Sequence, residues 1–148
     1  MQPFSMTVRV YIEDTDAGGI VYYANYLRFL ERARTEWLRT LGLSQEKFRQ
    51  EGVLIVVRDV QLRYRASARL DDELMVTVAI EKQRRTSLIM QQQVWRIDSS
   101  NNERSLLLDG QIGLACIAAD GRPRGFPDDL MQHLNAMSFN SENNRESL

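Results

Sequence analysis

Three carboxylates fall within four residues near the start of the chain, at Glu13, Asp14 and Asp16. Gly18 and Gly19 follow, and then a segment with helical periodicity begins. A helix start presents unpaired backbone N–H groups and a partial positive charge. A carboxylate facing it could act on a carbonyl whose oxygen those N–H groups polarise. On pattern alone a turn or cap role outweighs this one, because acidic residues before a helix commonly serve there. A calcium loop is a further alternative, and it fails in detail. Counted from Asp14, the fifth and twelfth positions are Gly18 and Asn25, where an oxygen ligand and a bidentate Glu are needed.

The rest of the composition narrows the chemistry. His133 is the sole histidine and lies near the C-terminus, which leaves almost no room for a His-based triad, metal site or general base in the body of the domain. Cys116 is the sole cysteine, in an apolar strand, and reads as inert core; no intrachain disulfide is possible, which suits a reducing compartment. The net charge of −1 argues against a dedicated nucleic-acid binder. Met1 to Thr7 lacks a basic stretch followed by an apolar run, so no signal peptide is expected. No apolar run approaches the roughly 20 residues of a membrane span. A cytoplasmic location is expected.

These candidate groups need a frame. The 148 residues suit one domain, expected to be 1–137 with a polar, disordered tail at 138–148. Val8, Val10 and Ile12 alternate as a strand. Tyr26, Leu30, Ala33, Trp37 and Leu41 recur at helical spacing, predicting a helix of about five turns that starts between Tyr23 and Asn25 and stops at Gly42. A short helix follows at Ser44–Gly52 with Ser44 as its N-cap. Strands are predicted at Val53–Tyr64, Glu73–Arg84, Ser87–Ile97 and Leu106–Ala118, and a short helix at Pro127–Leu134. Val60, Leu62 and Tyr64 should share one face, as should Leu74, Val76, Val78 and Ile80, and Ile89, Gln91, Gln93 and Trp95. The implied class is α+β: an antiparallel sheet of about five strands with one long helix on one face.

The segment Asp14-Thr15-Asp16, Gly19-Ile20-Val21-Tyr22, Asn25-Tyr26 and Glu31-Arg32-Ala33-Arg34 resembles the signature of the 4-hydroxybenzoyl-CoA thioesterase branch of the hotdog-fold superfamily, and most closely its Tol-Pal-associated acyl-CoA thioesterases, the YbgC type. Val56-Val57-Arg58 and Ala68-Arg69-Leu70-Asp71-Asp72 match as well, so the resemblance spans roughly residues 7–130. It implies a hotdog fold, an acyl-CoA substrate (with acyl carrier protein as another thioester donor), no metal or cofactor, and homodimers or homotetramers with sites at subunit interfaces. It implies Asp16 as the catalytic carboxylate and the Tyr23 backbone N–H as the group that polarises the thioester carbonyl. Tyr23 stands where YbgC-type enzymes commonly carry His, so a backbone donor is retained and an imidazole is not.

The basic turn Arg84-Arg85-Thr86-Ser87 could hold phosphates of coenzyme A. By composition it reads as a solvated hairpin; the resemblance carries Arg84 and Arg85 into a substrate-binding role. Glu31 is the rival acid, since other hotdog thioesterases place theirs on the long helix; an ion pair with Arg34 or a helix-face contact at i, i+3 is the expectation here. Two other function classes stand beside the thioesterase: a dehydratase or hydratase, disfavoured by the missing His, and a non-catalytic acyl-CoA or acyl-carrier-protein binding module.

Overall fold

The computed structural model describes residues 4–146, with side chains through 137. Five strands form one antiparallel sheet in the order β1-β3-β4-β5-β2, where β1 is Phe4–Arg9, β2 Val53–Tyr64, β3 Glu73–Gln83, β4 Ser87–Ile97 and β5 Arg104–Ala118. Helix α1, Tyr26–Thr40, crosses one face. It is preceded by a single tight turn at Tyr23–Asn25, so the regular helix is a turn shorter than its periodicity suggested. Its buried face is Tyr26, Phe29, Leu30, Ala33, Trp37 and Leu38, the stripe that a spacing of three and four places on one side.

The sheet offers that stripe its complement. On β3, Leu74, Val76 and Val78 are buried; on β4, Leu88, Met90, Gln92 and Val94 are. The β4 set named from the sequence, Ile89, Gln91, Gln93 and Trp95, alternates with these and lies on the sheet's other, half-exposed face. There Gln91 and Gln111 both donate to Glu81. Helix α2 is Gln45–Gln50, and Ser44 caps it as expected, its hydroxyl accepting from Lys47 N at 3.1 Å.

Two boundaries depart from the sequence reading. The first strand is Phe4–Arg9 rather than Val8–Ile12. Its ladder ends at Arg9↔Glu73, where β3 begins, and the next residues turn through a short 3-10 helix at Ile12–Asp14. Val10 is still buried, but Ile12 is 75% exposed. The last helix, α3, is Asp128–Glu146, well beyond the expected Pro127–Leu134. Side chains from 138 onward lie outside the described residues, and with them the expectation of a disordered tail at 138–148.

Candidate active site

The acidic segment between β1 and α1 separates its carboxylates into different tasks. Asp14 is 8% exposed. One of its oxygens accepts from Tyr11 N at 2.9 Å and the other from Asn25 Nδ2 at 2.9 Å. Its carbonyl accepts from Tyr22 N at 3.1 Å. Asp14 therefore ties the end of the strand to the start of the helix. Glu13 is exposed and makes no hydrogen bond among the described residues.

Asp16 sits one residue past an isolated antiparallel bridge, Thr15↔Val21, in a tight turn. Asp16 N donates to Ile20 O at 2.9 Å and Gly19 N to Asp16 O at 3.1 Å. Gly19 has φ of +77°, which a side chain there would resist. Asp16 Oδ1 accepts from Gly18 N at 2.8 Å, which fixes the side chain; Oδ2 has no partner among the described residues, and the residue is exposed. A Cβ on Gly18 would come within 3.3 Å of Oδ1. A carboxylate held by one oxygen and free at the other suits a nucleophile or general base.

The same bridge directs the chain into the helix start. Tyr23 is the first residue of the tight turn before α1, and its N–H finds no acceptor among the described residues. Its carbonyl accepts from the Tyr64 hydroxyl at 2.8 Å, which links the helix start to β2. Tyr26 is buried, and its phenol oxygen accepts from Ala68 N at 2.9 Å. Burial raises the Tyr26 phenol above its ordinary pKa, and burial also raises Tyr64, so both remain neutral hydroxyls.

The segment 68–72 braces this loop from below. Val21 N donates to Ala68 O at 2.9 Å, Val10 N to Asp72 O at 2.9 Å, and Asp71 N to Val10 O at 3.0 Å. The match at Ala68–Asp72 thus marks a support for the loop rather than reacting groups.

The basic turn gains a member that sequence reasoning missed. Phe126 N donates to Arg85 O at 3.0 Å and Arg124 N to Cys116 O at 3.0 Å, so the strap after β5 lies against the β3–β4 turn. Arg85 and Arg124 line one hollow of about 510 Å³ with Gly125, Phe126 and Asp128. A Cβ on Gly125 would sit 3.4 Å from Arg85 Nε. Arg84 is on the turn, exposed, and outside that lining. The glycine beside basic residues in Arg122-Pro123-Arg124-Gly125 was the available signal, but nothing local in it points to Arg85.

Of the two alternatives expected for Glu31, the ion pair with Arg34 is not formed. Among the described residues no ion pair joins them; Arg34 Nη1 instead donates to Gln92 Oε1 at 2.9 Å. Gln92 is fully buried and drew the guanidinium inward. Cys116 is buried, and burial raises its thiol pKa, as an inert core cysteine requires. No cluster of three or more His, Cys, Asp or Glu side chains among the described residues could hold a metal.

A five-stranded antiparallel sheet wrapped on one long helix is the hotdog arrangement. A hypothetical protein from Aquifex aeolicus shares it, with a TM-score of 0.80 and 26% identity over 88% of this chain and 98% of that one. The chain belongs to the thioesterase superfamily, whose 4HBT family model matches residues 18–101. It is 42% identical to the acyl-CoA thioester hydrolase YbgC of Escherichia coli O6:H1, over 86% of this chain and 92% of the relative. It is 39% identical to the acyl-CoA thioesterase YbgC of Haemophilus influenzae, over 86% and 90%. The activity class is thioester hydrolysis. No helix among the described residues is long and apolar enough to cross a membrane.

Proposed function

We propose that the protein hydrolyses acyl-CoA thioesters in the cytoplasm, with Asp16 as the reacting carboxylate. The observation that carries this reading is the pairing of a free Asp16 oxygen with an unpaired Tyr23 N–H across one short bridged loop. As general base, Asp16 Oδ2 takes a proton from water while the water oxygen joins the thioester carbon. The Tyr23 N–H holds the developing oxyanion. The C–S bond then breaks, and the thiolate leaves with its electron pair and takes up the proton, giving free coenzyme A and a carboxylate. As nucleophile, Asp16 would pass through a mixed anhydride that water cleaves. Neither route needs a metal or prosthetic group.

Arg84, Arg85 and Arg124 are assigned to the phosphates of coenzyme A, since guanidinium groups suit phosphate and the hollow between Arg85 and Arg124 is large enough to admit one. An acyl carrier protein, whose thioester carries a phosphodiester, could present the same group. The support for a homodimer or homotetramer is the sheet edge: β2 is an edge strand whose Val57, Val60 and Tyr64 are exposed. Light scattering that returned a monomer at micromolar concentration would remove this part. The activity itself is tested with a panel of acyl-CoAs and a thiol reagent; no thiol release from any of them would overturn the proposal.

A further inference from the structure

We infer that the trough between α1 and β2 receives the acyl chain, and that Arg34 at its inner end selects chains whose far end carries a carboxylate. The inference rests on the thioesterase reading and specifies its substrate class.

Arg34 cannot lose its charge and carries five N–H donors. The bond to Gln92 Oε1 is its only hydrogen bond among the described residues. Gln92 in turn is locked, its amide nitrogen donating to Leu30 O at 3.1 Å and Thr77 O at 3.2 Å. Burial pushes the Arg34 guanidinium below its ordinary pKa, the mark of a charge held away from water. Arg34 is half-buried, its one hydrogen bond goes to a neutral oxygen, and the nearby opposite charge, Glu31, forms no ion pair with it among the described residues. Arg34 lines a cavity of about 290 Å³ whose walls include Trp37, Leu38, Val57, Met90 and Leu114. Mostly apolar walls with a few polar groups, here Arg34, Glu31 and Gln45, are the make-up of a small-molecule site.

A line of residues leads from this cavity toward the Tyr23 end of the helix. Tyr23, Leu27, Glu31, Arg34 and Leu38 follow one another at steps of three or four along one helix face. Across from them on β2 stand Tyr64, which bonds Tyr23 O, and Val57, which lines the same cavity as Arg34. Leu27, Val57, Val60 and Tyr64 are all exposed in the single chain and give the trough an apolar lining. The shared Gln92 contact sets the guanidinium near the level of Leu30, seven residues beyond Tyr23. At about 1.5 Å per residue that is roughly 10 Å. An extended chain advances about 3.5 Å in every three bonds, which gives an acyl chain of roughly eight to ten carbons.

Glu31 decides between two polar chain ends. It lines the same cavity, and its charge acts on Arg34. A hydroxyl end would use both residues, whereas a carboxylate end would bind Arg34 against Glu31. Arg34 is the more desolvated of the two and is not ion-paired, Glu31 is exposed to water, and a guanidinium matches a carboxylate in bidentate fashion. The carboxylate end is therefore favoured.

The test compares kcat/KM of the full chain on suberyl-CoA, octanoyl-CoA and 8-hydroxyoctanoyl-CoA. The wild type should prefer suberyl-CoA. Arg34→Gln should cut its rate on suberyl-CoA roughly ten- to hundredfold, the worth of one charged hydrogen bond. Its rate on octanoyl-CoA should stay within about threefold, as uniform binding elsewhere is kept. Arg34→Lys should recover part of the loss, and Glu31→Gln should raise the suberyl-CoA rate. Equal losses on both chains in Arg34→Gln would overturn the inference, as would a wild type that prefers octanoyl-CoA or an 8-hydroxyoctanoyl-CoA preference that Glu31→Gln abolishes. If Arg34→Gln fails to fold, the wild-type ratio and Glu31→Gln still decide. Hydrolysis of octanoyl-CoA without a suberyl preference removes the inference and leaves the thioesterase reading; no hydrolysis of any of the three esters overturns both.

Discussion

Between Tyr11 and Tyr22 the polar groups bind one another, whereas between Arg84 and Ser87 only the backbone is tied. In the first region Asp14 joins two stretches of chain, Asp16 is held by Gly18 N, and the segment 68–72 supports the loop from outside. Asp16 Oδ2, and just past this region the Tyr23 N–H, keep no partner among the described residues. In the second region Arg84 N bonds Ser87 O at 2.8 Å and Thr86 O accepts from Cys116 N at 2.9 Å, while the Arg84 and Arg85 side chains have no hydrogen-bond partner among the described residues. The difference suits the two tasks proposed for these regions. Making and breaking bonds depends on placement to a fraction of an ångström. Attracting a phosphate depends on charge, which acts over several ångströms and tolerates mobile side chains.

Substitutions can break that contrast at graded cost. Asp16→Asn keeps the size and the turn-forming amide oxygen but cannot serve as base or nucleophile, so turnover of acyl-CoA should fall by about 10² or more. Thermal unfolding should stay near wild type, since Asn also favours such turns. A variant with near-wild-type turnover would show that the free oxygen is not the reacting group. Glu31→Gln assayed beside it on octanoyl-CoA should cost far less; a greater loss there would move the chemistry to the helix.

Asp14→Ala should act on both stability and rate. It strips the acceptor from Tyr11 N and the buried Asn25 amide, at about 1–3 kcal/mol, and loosens the loop that carries Asp16. Denaturant melts and steady-state assays on the same sample check this. A drop in rate with an unchanged melt would place Asp14 among the reacting groups instead.

On the basic side, Arg85→Ala combined with Arg124→Ala should raise KM for CoA esters and flatten its dependence on salt. Short thioesters without the nucleotide should be little affected. Equal effects on both substrate types would exclude a phosphate role for the pair. The smallest effect is expected from Tyr64→Phe, which removes the bond to Tyr23 O and should cost about 0.5–1.5 kcal/mol of stability. A fall in kcat beyond a few-fold would mean that this hydroxyl also sets the Tyr23 N–H.

Local chemistry made much of this readable. The spacing of Tyr26, Leu30, Ala33 and Trp37 placed α1 because each residue's burial follows from its own step along the helix. Ser44 announced a cap, and the alternation of Leu74, Val76 and Val78 announced a buried face. Asp16 was reached through family resemblance; its residue type alone could not be told from Asp14, because only folding shows which carboxylate is consumed by hydrogen bonds. The choice between the two faces of β4 failed to settle for a similar reason: Gln92 lies on the buried side, where Arg34, Leu30 and Thr77 satisfy it, and no neighbour in sequence reveals those partners. Arg124 came into view only when the strap after β5 was laid against Arg85.

The strand order has a bearing on how the molecule is made. β1 finds its only neighbour in β3, and β2 finds its neighbour in β5, so a ribosome must emit the chain through residue 118 before every strand has its partner. Until the segment 68–72 emerges, just ahead of β3, the loop carrying Asp16 lacks both Asp72 O and Ala68 O to lean on. Closing such distant pairs is entropically slow. The nascent first half therefore holds the proposed reacting residues without that support, and its β2 waits with an unpaired edge of Val and Ile that calls for protection during synthesis. Activity should appear late and all at once, with the arrival of the last strand.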